Sequence, residues 1–335
     1  MHAFAILALA CIGTAVLTWA AIAGVRQALL HHSVLDRPNE RSSHVSPRPR
    51  GGGLGVLLVV VLVWAAAVTW LGGAPPAFAA VMAGVAILAA ISWLDDMKGG
   101  TPVAARLTAQ AIAVGLALSA FGDVGPVFQG LLPPLLDRLA TAGIWLWFIN
   151  LFNFMDGIDG ISGVETAALG SGLALVAWLA GLAAPQVALP ALLAAAALGF
   201  LAWNWAPAKI FLGDVGSIPL GFLLGWLLLI LAAQGHWPAA VILPLYYLAD
   251  ATITLARRLA RREYIWRAHR GHFYQQAVDA GASHGAVAAM VLACDLVLIG
   301  LAVAATLGFS WLALTLAIIA VAVLLRRFGR HAPAG

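Results

Sequence analysis

Charge is what this sequence has least of. Asp, Glu, Lys and Arg make up 10% of 335 residues, whereas 63% are hydrophobic, and the mean hydropathy is +0.97. That balance excludes a water-soluble globular domain and marks an integral membrane protein. Cysteine is nearly absent. Cys11 and Cys294 each sit inside an apolar run, which excludes a disulfide framework and a cysteine zinc site. No internal repeat of fixed period is found, so an inverted-repeat transporter gains no support. A net charge of +4 invites a nucleic-acid partner, but in a membrane chain basic residues first report topology, so none is expected.

The apolar runs predict an all-α polytopic membrane protein, one domain over residues 1–335, with about eleven transmembrane helices. They fall at about 3–25, 53–72, 75–94, 102–121, 139–155, 161–181, 186–205, 216–234, 237–256, 286–307 and 309–326. No Lys or Arg precedes the first run and Arg26 follows it, which predicts a retained first helix with its N-terminus outside. Threading the chain through these spans puts all but one of the 18 Lys and Arg on one side, leaving only Arg138 opposite. By the positive-inside rule the basic side is cytoplasmic.

The polar residues gather on that same side. In Asn150-Leu-Phe-Asn-Phe-Met-Asp-Gly-Ile-Asp-Gly160, four polar side chains (Asn150, Asn153, Asp156 and Asp159) recur every third residue. The first half continues a helical run, so residues three apart share a face; Gly157 and Gly160 then let the backbone turn. Asp-Gly pairs are ordinary turn chemistry. Two carboxylates and two carboxamides at a membrane helix end are costly and point to a function. Asp95-Asp96 ends another helix, where the partial negative charge disfavours acids without a cation partner; Lys98 is one candidate, and a divalent metal or a substrate proton the other. Asp214 lies in Phe211-Leu-Gly-Asp-Val-Gly-Ser217, with Asn204 and Lys209 just before it. Five carboxylates and no thiolate favour Mg²⁺ or Mn²⁺ over zinc, with substrate phosphates completing the coordination. The Arg-rich loops would complement the same anion. Arg257 to Arg262 read as an interfacial amphipathic helix held by anionic lipid; His269 and His272 beyond them can face solvent or a diphosphate. The loop Leu35 to Gly53 ends Arg50-Gly-Gly-Gly53 but lacks the Gly-Lys-Ser/Thr of a P-loop, so its glycines point to close backbone packing. Asp295 lies in mid-span, where a partnered interior acid is the plain expectation.

Taken in order, Asp95-Asp96, Asn150…Asn153…Asp156-Gly-Ile-Asp159-Gly, Phe211-Leu-Gly-Asp-Val-Gly-Ser217 and His269…His272 resemble the motifs of the polyprenyl-phosphate N-acetylhexosamine-1-phosphate transferases. The resemblance spans about residues 30–280. It implies ten or eleven helices with a cytoplasmic active-site cleft in the bacterial inner membrane, and is compatible with a homodimer. A UDP-activated N-acetylhexosamine would enter from the cytoplasm and undecaprenyl phosphate from the membrane lipid, giving the lipid diphosphate sugar and UMP with Mg²⁺. By motif, Asp95 and Asp96 lie near the lipid phosphate and Asp214 resembles a metal ligand. Asn150, Asn153, Asp156 and Asp159 serve nucleotide and metal binding, with Asn204 and Lys209 beside them. His269, Arg270 and His272 hold the diphosphate or sugar. The Arg-Ser-Ser-His44 and Pro-Arg50-Gly-Gly-Gly runs are similar to the family's first cytoplasmic loop. The short His-Arg-Gly-His run departs from the phospho-MurNAc-pentapeptide transferase branch, which carries a longer His-rich run. It looks closer to the enzymes that initiate O-antigen and other surface glycans, acting on GlcNAc, FucNAc or QuiNAc.

The chemistry expected is in-line attack of the lipid phosphate on the β-phosphorus of the UDP-sugar. A phosphate monoester is already largely dianionic near neutral pH, so the obstacle is anion repulsion, which Mg²⁺ and the basic residues would screen. Asp95 or Asp96 would remove a residual proton or orient the acceptor. A covalent aspartyl-phosphate route stays open. A flippase for an anionic lipid and a lipid-diphosphate phosphatase are the rivals; a flippase should spread ionisable groups between the two faces, whereas here they crowd one face, with Asp295 and Asp250 the main exceptions.

Overall fold

The computed structural model describes residues 2–36, 47–264 and 269–329. It is helical throughout, apart from a two-stranded antiparallel clip in which Leu35 pairs with Pro49 and Asp36 with Arg48. The clip joins α1 (His2–His31) to α2 (Gly53–Trp70). Then follow α3 (Phe78–Lys98), α4 (Val103–Ser119), α5 (Pro134–Phe154), α6 (Ile161–Leu179), α7 (Ala184–Asn204) and α8 (Asp214–Leu231). The chain continues through α9 (Trp237–Ile242), α10 (Leu245–Ala260), α11 (Phe273–Asp279), α12 (His284–Ala304) and α13 (Ser310–Gly329). Among the described residues eight segments are long and apolar enough to cross a membrane, as an all-α polytopic protein requires, against the eleven spans expected; α4 is apolar but shorter, and several expected spans merge or divide.

Three expected boundaries shift. The first helix continues past Arg26 to His31. The span expected at 237–256 is two helices, because Pro244 removes a backbone donor and separates α9 from α10. The two runs expected around 286–326 form one helical stretch that kinks at Gly308, with α13 packed back on α12.

The bundle is layered around α8. The apolar window of that segment is wholly buried, against 17% for α1, where Ile6, Leu9, Ile12 and Leu17 face outward. A helix hydrophobic on every side belongs inside a membrane bundle, and α8 packs on α2, α3, α5 and α6. Its start meets the start of α2 backbone to backbone: a Cβ on Gly53 would fall 2.2 Å from the Cα of Gly216. Small residues let membrane helices approach this closely. The amides of Gly51 and Gly52 bond the Phe211 carbonyl (3.2 and 2.8 Å), and that of Gly53 bonds Leu212 O (2.8 Å). Main-chain hydrogen bonds therefore set Arg50 and Asp214 side by side.

Candidate active site

The ends of α3 and α5 and the starts of α2, α4 and α8 meet at Asp214. Arg50 Nη2 donates to Asp214 Oδ1 at 2.8 Å, Arg106 Nη1 to Oδ2 at 3.1 Å, and Asn153 Nδ2 to Oδ1 at 3.2 Å. Asn153 also donates to the Ser217 hydroxyl at 2.8 Å. Asp95 accepts from Arg106 (3.1 Å) and from the Thr101 amide (2.8 Å). Arginine, not Lys98, is thus the cation partner of the acidic pair.

Asp96 works differently from its neighbour. Its oxygens accept the backbone amides of Asp214 (3.1 Å) and Val215 (2.9 Å), which caps the N-terminus of α8, and Arg50 Nε lies 2.9 Å away. Its side chain is fully buried beneath Arg50, while those of Asp95 and Asp214 keep some exposure. The two adjacent acids therefore part company: Asp95 reaches the cleft, and Asp96 holds the helix that carries Asp214. Burial alone would ease the proton off Arg50, but the carboxylates of Asp214 and Asp96 outweigh it and keep the guanidinium firmly charged.

Asp156 follows α5 and is half-buried. Burial, with the nearby Asp214 adding to it, pushes its carboxyl up to about 7 against a hydrogen bond from Ser162. Asp159 is held below the usual range despite its burial, because His284 and the Ala208 amide (3.0 Å) both stabilise the anion. His284 Nδ1 also accepts the Asp159 amide at 3.3 Å. Asn150 is paired with Gln110, donating to Gln110 Oε1 at 2.7 Å. Asn204 is buried and fully used: it accepts from the Gly160 amide (3.0 Å) and donates to Ile210 O (2.9 Å). It shapes the loop rather than facing the cleft. Lys209 is exposed, its ammonium 5.5 Å from the Trp203 ring centre.

The histidine segment docks beside this cluster. Asp250 on α10 accepts the amides of Phe273 (3.0 Å) and Tyr274 (3.2 Å), the Tyr246 and Thr254 hydroxyls, and lies 3.2 Å from His272 Nδ1. His272 is thereby buried in the scaffold, while His269 stacks on it with centroids 4.9 Å apart and stays partly exposed. Arg270 pairs with Asp279. Tyr274 donates to Phe154 O at 3.1 Å and sits over Gly157, where any Cβ would strike its hydroxyl. The Asp156 turn and the histidine segment are thus fastened together. His44 lies outside the described residues.

A groove of about 520 Å³ runs from this cluster between α4 and α5. Leu107, Leu146 and Trp147 form its apolar walls, and Arg106, Asn150 and Asn153 its polar end. Among the described residues no three carboxylate, imidazole or thiolate groups converge as a ready metal cage. The donors present suit a hard cation held by one or two carboxylates and completed by substrate phosphates.

Sequence reasoning singled out neither Arg106, Gln110 nor His284, each of which reaches its partner only through the fold. It also left Asp295 without a mate. That mate is Glu165: the two buried carboxyls face each other across α6 and α12, and among the described residues neither has another partner.

Fold and cluster together define a polytopic membrane protein with a carboxylate–arginine anion site at one end of its bundle. Residues 78–232 match the model of glycosyl transferase family 4. The matched stretch carries Asp95 to Asp214 but neither Arg50 nor His269. Over 247 residues the chain is 33% identical to the decaprenyl-phosphate N-acetylglucosaminephosphotransferase of Mycolicibacterium smegmatis, covering 65% of this chain and 58% of that protein. The enzyme of the same description from Mycobacterium tuberculosis is 31% identical over 245 residues, with the same coverages. The undecaprenyl-phosphate alpha-N-acetylglucosaminyl 1-phosphate transferase of Escherichia coli is 27% identical over 266 residues, covering 74% of this chain and 70% of that protein. The aligned region thus spans well under two thirds of the mycobacterial relatives.

Proposed function

We propose that this chain transfers an N-acetylhexosamine-1-phosphate from a UDP-sugar to undecaprenyl phosphate, in the bacterial inner membrane with its N-terminus outside and its site facing the cytoplasm. The observation that carries this reading is the junction at Asp214, where two arginines converge at the mouth of an apolar groove. The polyprenyl chain would lie between α4 and α5 with its phosphate at Arg106. A phosphate oxygen of the lipid forms a bond to the β-phosphorus of the UDP-sugar, and the bond to the UMP oxygen breaks with its electron pair leaving on UMP. Arg50 and Arg106 are long side chains bonded to Asp214 that can turn from carboxylate to phosphate, offsetting repulsion between the two anionic reactants. Asn153 orients Asp214, and Asp96 fixes the helix that carries it.

Mg²⁺, or Mn²⁺ in its place, suits the oxygen donors of Asp214 and Asp156, and when bound would neutralise charge on the diphosphate and the leaving UMP. Asp156, easily protonated in its buried setting, would be held as the anion by such an ion. The name of the Escherichia coli relative supports GlcNAc as the group moved. The short histidine run is the ground for an O-antigen or other surface glycan as the product, with a 6-deoxy amino sugar as the alternative donor.

The test is UMP release by purified protein with undecaprenyl phosphate, Mg²⁺ and separately UDP-GlcNAc, UDP-FucNAc and UDP-QuiNAc. Release that needs both lipid and metal is expected, and the best donor names the sugar. Inorganic phosphate release from a lipid diphosphate without nucleotide would replace the transferase with a phosphatase.

A further inference from the structure

Arg138 breaks the charge asymmetry of the whole chain. Every other described Lys and Arg lies at the end of the bundle that holds Asp214, on loops or at helix termini there. Arg138 sits in the first turns of α5, roughly 22 Å along the helix axis from Asn153. A lone cation on the face where basic residues are disfavoured has a topological cost, so an offsetting contact is expected.

The structure around it is a built pocket. The α4–α5 connection is folded over the start of α5, enclosing about 670 Å³ lined by Phe121, Leu131, Leu132, Asp137, Arg138 and Thr141 among others. Its wall is fixed by two clamps. Buried Asp137 accepts the amides of Val127 (3.2 Å) and Phe128 (2.9 Å), and Gln129 Nε2 donates to Ala232 O at the end of α8 at 2.7 Å. Both Asp137 oxygens are therefore engaged by amides, and Arg138 has no ion pair with it. Arg138 is exposed and, among the described residues, without a hydrogen-bond or ion-pair partner. Thr141, one turn deeper and 1% exposed, has a hydroxyl with no partner among the described residues. A helical threonine normally donates to a carbonyl three or four residues back, so an idle hydroxyl in a pocket wall is a vacant polar position. Leu135, Leu136 and Leu139 on the same turns of α5, and Leu131 before it, are exposed, as residues against lipid tails are.

We infer that this pocket binds the phosphate of an anionic phospholipid in the leaflet opposite the candidate active site. Arg138 pairs with the phosphodiester, Thr141 donates a hydrogen bond, and the Phe121 and leucine walls take the first carbons of an acyl chain. The phosphate is a lipid's because this end of α5 exposes Leu135, Leu136 and Leu139 beside the cation, an apolar surface suited to lipid tails and not to a free hydrated anion.

The experiment uses the full chain in nanodiscs of phosphatidylcholine doped with a photo-crosslinkable phosphatidylglycerol, with the labelled peptides mapped by mass spectrometry. Mapping separates this pocket from the basic loops at the other end, which will also attract anionic lipid. Labelling of the 121–141 segment is expected. It should fall roughly tenfold in Arg138→Gln, the loss of one charge-assisted contact, and about threefold in Thr141→Val. Labelling of the 257–270 segment should not change. Arg138 is exposed, so its variant should fold; an unchanged melting curve checks this. Equal labelling of the segment in wild type and Arg138→Gln would overturn the proposal. So would equal labelling by a zwitterionic crosslinkable lipid, or displacement by millimolar inorganic phosphate, which would mark a small-anion site instead. None of these readouts depends on transferase turnover.

Discussion

Asp96 and Asp250 perform the same structural act with different consequences. Each reaches from one helix to accept two successive backbone amides at the N-terminus of another, Asp96 for α8 and Asp250 for α11. Both side chains are fully buried. The difference lies in the remaining contacts. Those of Asp250 are uncharged hydroxyls and a buried imidazole, which have nowhere else to go. Asp96 shares Arg50 with Asp214, and that guanidinium is a side chain able to move onto a phosphate. A capping carboxylate is scaffold when its partners are fixed, and part of a reaction site when one of them is free to leave.

The comparison can be broken most sharply at Asp214 itself. Asp214→Asn keeps the volume and removes the charge that gathers both arginines. UMP release should fall by roughly 10³-fold or more, with a melting temperature within about 3 °C of wild type. Near-normal turnover would remove Asp214 from the chemistry. The capping pair sharpens the contrast. Asp96→Asn should lower kcat/KM by roughly 10²-fold through misplacement of Asp214, with a modest change in melting. Asp250→Asn should mainly destabilise, by about 2–4 kcal/mol, because a buried multi-donor acceptor is lost. If the two variants behaved alike in both assays, the distinction would collapse. Gly53→Ala comes next: the methyl must push α2 from α8, at about 1–3 kcal/mol, and draw Arg50 away from Asp214, so activity should fall with stability. Retained activity at lowered stability would show that Arg50 is not positioned by this contact. The smallest effect is expected at His269. Burial pushes this imidazole down to about 4, with His272 and Arg258 adding repulsion, so it stays neutral in the fold while an unfolded chain takes up its proton near 6.5. Its folded pKa is the lower one, so stability is fully present above about 6.5 and lost as pH falls towards about 4. A melting-temperature profile of His269→Gln should be flatter over that window; an identical acid limb would assign the loss to other groups.

Much of this was legible in the chain. Apolar runs and the one-sided basic residues locate the helices and the end where the site sits, because hydrocarbon permits few other arrangements. Asp156, Asp159 and Asp214 are conspicuous since acids at membrane helix ends need a reason. Partnership was harder to read. Arg106 looks like one more basic residue near a helix start, and only the packing of α4 against α3 and α5 brings it to Asp214. Asn204 looked like a substrate ligand because it precedes the Asp214 motif, yet its amide is consumed by the backbone of two loops. His272 shares a short motif with His269, but Asp250, far away in sequence, draws it inward. Side-chain direction depends on which helix lies opposite, and periodicity within one helix does not carry that information.

The facing acids Glu165 and Asp295 bear on how the chain is assembled. Glu165 enters the bilayer with α6, and its counterpart follows only some 130 residues later on α12. Until then a carboxyl in α6 lacks its eventual neighbour, a costly state in hydrocarbon. Docking of α12 ends that wait and, through His284 on Asp159, closes the turn beside the reaction cluster in the same movement. The last helices thus act as a latch on a site whose chemical groups were all laid down earlier in synthesis. A chain cut before α12 would carry the whole carboxylate–arginine cluster and still leave its Asp159 turn unfastened.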